Sequence, residues 1–408
     1  MQNDVQPMDR RMMREMNQNM LLNLVRAHAP ISRVQLKHLS GLSAGTIFGI
    51  TTELIEQGLL TEIGVAESTG GRKAGLLEIY PDGGYVLGID LREYHITGAV
   101  LNLHGNIVYE ETWPARLRNN ADGAIDIIAR GVETFIAHSG IPREKLLGLG
   151  CGVSGPVNAQ TGTNIDSWIL NWHNVELSGP LNECLHMPVF VDNSVNCFAS
   201  YQKLYGIGRP YRNFLLVTLG RGLGMAIVIN GDLFRGAQGM GAEFGHIPFD
   251  VNGRRCECGN QGCLEAYVGD CGIFTTYREL SASPLAHNDW DIDPAIVDDL
   301  FMQAQQGDAL ARRAFELTGA YLGIGIATLV NLFNPESIIL FNGNGPRADM
   351  LLPAMKETMQ RSLFSQLGSH LNVILEENFV GMSWARGAGC LVLRDFFSSP
   401  MQPAKSAL

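Results

Sequence analysis

Between Gly241 and Glu265 the chain reads GAEFGHIPFDVNGRRCECGNQGCLE, which brings one histidine and three cysteines into a short run. His246, Cys256, Cys258 and Cys263 are the donor set that zinc takes in a closed, four-coordinate structural site. Gly259 and Gly262 separate the last two thiols, and glycine permits the positive φ angles that a metal knuckle needs. The other cysteines, Cys151, Cys184, Cys197, Cys271 and Cys390, are scattered singly. Two carboxylates flank the ligands. A clamp through His246 and Cys263 would bring Glu243 and Glu265 near one point. The second ring nitrogen of a metal-bound imidazole stays free for a hydrogen bond. Carboxylates beside such an imidazole offer directed acceptors for a polyhydroxylated ligand.

The pattern G-x-x-G-x-G-A-E-F-G-H-I over 236–247, followed by C-x-C-G-x-x-G-C-L-E over 256–265, resembles the signature of the ROK family of repressors, open reading frames and sugar kinases. The likeness extends through GVSGPV at 152–157, VDNSVN at 191–196 and VNLFNPE at 330–336. It covers the chain from about residue 83 onward. It implies an α/β, actin/hexokinase-like fold with a sugar held between two lobes. Residues implied at that sugar site are Asn193, Glu243, His246 and Glu265, with Gly155 and Ser167 lining the cleft.

The chain has 408 residues, 46% hydrophobic and 17% charged, with a net charge of −11. That composition allows two or three domains with a sizeable core. It argues against a protein coated in nucleic acid, while leaving room for a small DNA-binding head. No apolar run approaches the ~20 residues of a membrane span, and the N-terminus lacks the apolar core of a secretory signal. Scattered cysteines beside a zinc cluster suggest a reducing cytoplasm.

The first 16 residues are polar and Met-rich. From Asn17, Met20, Leu21, Leu24 and Val25 recur at helical spacing and stop at Pro30. Ser32 is a plausible N-cap for a second helix with apolar Val34, Leu36 and Leu39, closed by Gly41. Ser43 caps a third, with Ile47, Ile50, Leu54 and Ile55 inward and Gly58 at its end. Helix, glycine turn, helix is helix-turn-helix spacing. Two short strands around Ser68–Lys73 complete a winged helix. Ser43, Thr46, Phe48, Gly49 and Thr52 are the candidates to face the major groove, with Arg72 and Lys73 on the wing. The third helix has no Lys or Arg, so guanine readout by arginine is not available from it.

Further on, strands are expected at 85–91, 95–103, 106–113, 146–153, 189–191, 214–219, 224–230 and 337–341. Helices are expected at 121–138, 178–186 and 309–333. The domain division is a winged helix over 1–80, a first α/β lobe over 81–193, a second lobe with the zinc loop over 194–390, and a C-terminal helix and tail over 391–408. By the resemblance, that last helix packs back toward the DNA-binding head.

Three positions bear on phosphoryl transfer, which needs a base for the hydroxyl proton and positioned groups around the phosphates. ROK kinases carry aspartate after D-N or E-N; here Asp192-Asn193 is followed by Ser194. Their first phosphate turn is D-x-G-G-T-like; here Asp90 is followed by Leu91, Arg92, Glu93 and Tyr94. Their second is G-T-G-x-G-x-G; here it is Gly220, Arg221, Gly222, Leu223, Gly224. These changes lead to a transcriptional regulator that binds operator DNA and responds to a sugar or sugar phosphate in the cleft, a repressor of carbohydrate uptake and catabolism genes with no kinase activity, holding one structural zinc ion and acting as a homodimer or homotetramer. The alternatives are an active sugar kinase with a fused DNA-binding head, and a repressor controlled by a sugar-transport protein.

Overall fold

Ser32 caps the second helix of the N-terminal head. Its hydroxyl accepts from the Gln35 amide while Gln35 Oε1 accepts from the Ser32 amide, a reciprocal cap. The computed structural model describes residues 10–65, 75–281, 290, 292–342, 347–376 and 383–398. α1 (Arg10–His28) begins ahead of the expected Asn17, its first turns braced by Arg11–Glu15 and Arg14–Glu53 pairs. A two-residue strand, β1 (Ile31–Ser32), leads into α2 (Arg33–Ser40), which Gly41 closes at φ +70°. Of its expected inward residues only Leu36 is buried; Val34 and Leu39 face outward, because so short a helix has one inward row. α3 (Ala44–Glu56) is capped by Ser43, whose Oγ accepts from the Thr46 amide at 3.1 Å. Ile47, Ile50 and Leu54 are buried in it, and Ile55 is half-buried. β2 (Leu60–Val65) and β3 (Gly75–Ile79) form a small sheet in which β3 lies between β1 and β2. The wing tip with Arg72 and Lys73 lies outside the described residues.

Two lobes follow. The first contains β4 (Tyr85–Leu91), β5 (His95–Asn102), β6 (Ile107–Pro114), α4 (Ala124–Ser139), β7 (Leu146–Val153), β8 (Val157–Asn158), β9 (Thr163–Ser167), β10 (Trp172–Glu176), α5 (Ser178–Leu185), β11 (Val189–Asn193) and α6 (Ser194–Leu204). Its sheet runs β11-β7-β4-β5-β6. β4 to β6 form an antiparallel meander, and β7 and β11 join β4 in parallel. β8 to β10 make a separate antiparallel sheet that the sequence reading did not anticipate.

The second lobe contains β12 (Phe214–Leu219), β13 (Leu223–Ile229), β14 (Asp232–Phe234), α7 (Glu265–Val268), α8 (Asp270–Leu280), α9 (Pro294–Gln305), α10 (Ala309–Phe333), β15 (Ser337–Asn342), α11 (Ala348–Ser362) and β16 (Asn372–Glu376). Its sheet, β14-β13-β12-β15-β16, repeats the plan: a meander on one side and two parallel strands on the other. β4 and β12 are buried along their whole length, as central strands covered on both faces must be.

The last helix, α12 (Ser383–Ser398), corrects the expected boundary at 391. It begins at Ser383 and covers the first lobe's sheet, while Trp384 near its start packs against Phe341 of the second. Glycines make this possible. A Cβ on Gly88 or Gly150 would stand 2.0 or 1.9 Å from the carbonyl oxygens of Ala385 or Ala388. The distal end of α12 reaches the head, where Asn23 Nδ2 donates to the Phe397 carbonyl at 2.6 Å. One apolar core runs through both: Leu21, Val25, Leu54 and Leu77 of the head pack with Val86, Leu101, Leu393 and Phe397.

α10 is long and apolar enough to cross a membrane by length and composition, with mean hydropathy 1.3, contrary to the expectation that no such run exists. Of its most apolar 18-residue window 56% is buried, and it packs against α7, α8, α9 and α11 as a core helix.

Candidate functional site: the cleft between the lobes and its cysteine loop

Strand register sets the floor of the cleft. Asp90 of β4 and Asp192 of β11 both pair with Gly152 of β7, so the two carboxylates stand at the carboxyl ends of the two parallel strands that flank β7. Open α/β sheets bind ligands at such ends. Both aspartates are buried and neither is free. Asp90 accepts from Arg92 Nε at 2.5 Å and from Ser194 Oγ at 3.0 Å. Asp192 accepts from the Asn193 amide and from Asn196 Nδ2 through one oxygen, and from Arg235 at 2.7–2.8 Å through the other. Arg235 follows β14, so this pair ties the second lobe to the first.

The expected sugar residues fall into two groups. Asn193, Gly155 and Ser167 form one bonded patch in the first lobe. Asn193 caps α6 through the Val195 amide at 2.8 Å and donates to the Gly155 carbonyl at 2.8 Å. Gly155 has φ +82°, and a Cβ there would lie 2.0 Å from the Asp166 carbonyl oxygen, so only glycine fits. Ser167 is fully buried, its hydroxyl 2.6 Å from Ser154 Oγ and accepting from the Leu170 amide. The other group is Glu243, His246 and Glu265. Burial pushes the Glu243 carboxyl up; His246 pulls it down and Glu265 pushes it further up. Glu265 braces the β12–β13 turn, accepting from the Leu223 amide at 2.9 Å. Asn193 and Glu243 share a crevice with Asn196 and Met225 that encloses about 40 Å³. Ligand pockets run to about 300–1,000 Å³, so a sugar requires the lobes to part or residues 239–243 to move.

The cysteine loop does converge. The ligand atoms of His246, Cys256, Cys258 and Cys263 lie within 4.8 Å of one another. Zinc bonds of about 2.3 Å to sulfur and 2.0–2.1 Å to nitrogen place tetrahedral neighbours roughly 3.6–3.8 Å apart. Cys258 and Cys263 Sγ are 3.7 Å apart, and Cys256 Sγ is 3.6 Å from His246 Nδ1. This donor set therefore fits a tetrahedral ion, with Nδ1 as the imidazole donor. Burial pushes the Cys263 thiol up to about 11 and raises Cys256 further. A cation among them reverses this, because a coordinating thiol is deprotonated outright. The loop is held from outside. Gly262, at φ +77°, passes so close to the Asp250 carbonyl that a Cβ would meet it at 1.6 Å. Arg254 binds Glu279 and the carbonyls of Ala266 and Gly272 while lying 4.5 Å over the Tyr267 ring.

A chain of charges joins this loop to the first lobe. Arg118 Nη1 lies 2.5 Å from Glu93 Oε1, Arg221 Nη1 lies 3.5 Å from the same oxygen, and Arg221 Nη2 reaches Glu257 Oε1 at 3.1 Å. Glu93 is in the β4–β5 turn and Arg221 in the β12–β13 turn, which the repeated topology makes equivalent. Glu257 stands between Cys256 and Cys258 of the cluster. Arg118, Arg235 and Glu257 were not singled out from sequence. Glu257 had a signal in its position between Cys256 and Cys258; Arg118 and Arg235 had none.

In the head, Ser43, Phe48 and Gly49 are exposed and Thr46 and Thr52 half-buried. The Ser43 hydroxyl is occupied as a cap. Sequence reading missed Arg33 on α2, which lies 5.5 Å over the Phe48 ring and donates to Thr51 Oγ1 at 2.9 Å, bringing a cation beside α3.

Comparison with known proteins agrees with this architecture. The Xylose repressor of Bacillus subtilis (strain 168) is 29% identical over 371 residues, covering 90% of this chain and 92% of that protein. The DNA-binding transcriptional dual regulator NagC of Escherichia coli (strain K12) is 28% identical over 376 residues, covering 90% of each. A solved ROK family transcriptional regulator, a homolog of the E. coli MLC protein, superposes with TM-score 0.81 at 26% identity over 94% of this chain and 97% of that one. A ROK family glucokinase from Streptomyces griseus, in complex with glucose and AMPPNP, superposes with TM-score 0.63 at 26% identity, covering 76% of this chain and 99% of that one. The glucokinase thus accounts for most of the two lobes, while the regulator also spans the head. Residues 86–395 match the ROK family description, and the chain belongs to the ROK family.

Proposed function

We propose that this chain is a sugar-responsive, DNA-binding transcriptional regulator, a repressor of carbohydrate uptake or catabolism genes, whose kinase-like lobes sense sugar without phosphorylating it. The observation that carries the reading is at Asp90. Ser194 stands where the kinase base is expected, and its hydroxyl donates to Asp90. A serine hydroxyl is no base at neutral pH. Arg92 occupies the other Asp90 oxygen, giving that carboxylate an internal cation where a kinase turn would present phosphate-binding amides. Arg221, in the second turn, is already paired with Glu93 and Glu257.

Sugar hydroxyls are read by Asn193, Glu243, His246 and Glu265, with Gly155 and Ser167 shaping the wall behind. When zinc is bound it holds the loop that carries these acceptors and supplies no open coordination position. His246 has its second ring nitrogen left for the ligand. DNA is met by Ser43, Thr46, Phe48, Gly49 and Thr52, with Arg72 and Lys73 on the wing. A symmetric homodimer or homotetramer would read a palindromic site. The head shares its core with the first lobe, so it travels with that lobe. A sugar that parts or closes the lobes changes the spacing of paired heads by favouring one arrangement.

Fluorescence anisotropy of the zinc-loaded protein on its own upstream DNA, at stated salt and with a panel of sugars, tests this. Tight binding released by one sugar is expected. Tight binding that no sugar moves would turn attention to a protein partner. ATP-dependent phosphorylation of a sugar by the unmodified chain would overturn the reading.

A further inference from the structure

A second concavity lies away from the cleft. A groove of about 920 Å³ opens where α1 of the head meets α6, the residues after it, and the start of α12. Four cations line it, Arg26, Lys203, Arg209 and Arg386, against one carboxylate, Glu376, among the described lining residues. That is a reversal of sign in a chain of net charge −11. The cations come from three parts of the fold: Arg26 from the head, Lys203 and Arg209 from α6 and the residues after it, and Arg386 from α12.

Arg26 points to a missing counter-charge. Its Nε is buried and has no hydrogen-bond partner. Its Nη2 donates only weakly, to Asn23 Oδ1 at 3.2 Å, and the guanidinium lies over the Phe397 ring at 4.9 Å. Burial disfavours its charge most; the Tyr205 phenol favours the charge and Arg209 opposes it. Buried donors without partners cost about 1–3 kcal/mol and more when charged, so an acceptor delivered to this groove would relieve that cost. Lys203 Nζ donates to the Arg209 and Tyr211 carbonyls and Arg386 Nε to the Gly105 carbonyl, but among the described residues no carboxylate forms an ion pair with Arg26, Lys203, Arg209 or Arg386. Phe198, Ile207 and Pro210 give the groove an apolar wall.

We infer that this groove is a second ligand site, separate from the sugar cleft, for a small phosphorylated molecule whose phosphate sits among Arg26, Arg209 and Lys203. Guanidinium groups take phosphate in paired hydrogen bonds, and the apolar wall takes the remainder of the molecule. Because Arg26 belongs to the head and the other cations to the body, a bound dianion pins α1 against α6 and α12. Such a ligand acts on the DNA-binding head directly, without passing through the lobes.

Isothermal titration of the full chain with inorganic phosphate, at constant ionic strength against chloride, is the test. It involves neither sugar nor DNA, so it can fail while the sensor reading stands. One saturable site per chain is expected, weakened at least tenfold by Arg209→Gln, an exposed position that folding tolerates, and by Arg26→Gln. Arg221→Gln, in the cleft, should leave that binding in place. No saturable binding overturns the inference. So does binding that is lost in Arg221→Gln and kept in Arg209→Gln, which would place the anion in the cleft. If phosphate fails to bind but Arg209→Gln lowers the salt slope of DNA binding by about one, the cations serve the duplex backbone and the small-molecule site is refuted.

Discussion

The two lobes share one strand order, yet the equivalent turns have diverged. In the first, Asp90 is kept while Arg92 and Glu93 replace the freedom of glycine with side chains that pair with Asp90 and Arg118. In the second, Gly220, Gly222 and Gly224 remain, Arg221 stands for the threonine and Ala226 for the last glycine; a Cβ on Gly222 would crowd Glu265 at 2.7 Å. The coverings differ as well. The first sheet lies under α12 at backbone contact and merges with the head. The second packs against the cysteine loop through Phe244 and Leu264. Topology survives because whole buried strands maintain it. Chemistry rests on a few side chains and changes without disturbing the fold.

The comparison breaks most readily at the metal. Replacing Cys258 with serine, or stripping zinc with a chelator, should abolish stoichiometric zinc by elemental analysis. The loss of affinity should exceed the roughly 100-fold that a lost supporting contact costs. Limited proteolysis should then cut the second lobe near residues 247–265 and spare the first. Equal cutting in both lobes would mean that the loop is not confined to its own half.

The next effect belongs to the first lobe. Gly150→Val forces a side chain into the Ala388 carbonyl and should cost about 3 kcal/mol or more by overpacking. Its denaturation midpoint should fall while its zinc content stays whole. An unchanged midpoint would show that α12 does not seat on β7 at this distance.

Ser194→Asp sharpens the comparison of the two turns. The new carboxylate stands against Asp90, and the like charges should cost roughly 1–2 kcal/mol. ATP turnover should still be absent, since Arg92 keeps its hold on Asp90 and the first turn still lacks glycine. Turnover in this single variant would show that the base alone was missing.

The smallest effect is expected at Arg221. Its partly exposed pairs are worth at most about 1 kcal/mol, so Arg221→Gln should barely move stability. It should change sugar affinity severalfold, because the pair with Glu93 spans the lobes. A double-mutant cycle with Glu93→Gln isolates that coupling; a coupling of zero would mean the two turns do not communicate.

Much of this was open to a reader of the sequence, and the reasons are local. β12 at Phe214–Leu219 and α10 at Ala309–Phe333 were legible because periodicity and capping act within a few residues. The convergence of His246 with the three cysteines was legible because three of the four lie within eight residues, Cys256 to Cys263. β8 to β10 were missed because TNIDS and WHNVE alternate too weakly to signal strands. Asp192 was noted only as part of a motif, since Arg235 lies 43 positions away.

By itself the sequence determined the caps of α2 and α3, the donor set of the cysteine loop, and the substitution of serine and arginine at the phosphate-handling positions. Each depends on residue type at short spacing. Only the tertiary structure decided that α12 lies on the first sheet, that head and first lobe share a core, that Glu93 meets Arg221, and that four cations from three parts of the fold surround one groove. Those depend on glycine-permitted backbone contact and on the pairing of distant strands. Neither property has a signature along the chain, because each side chain's partner is chosen by the fold.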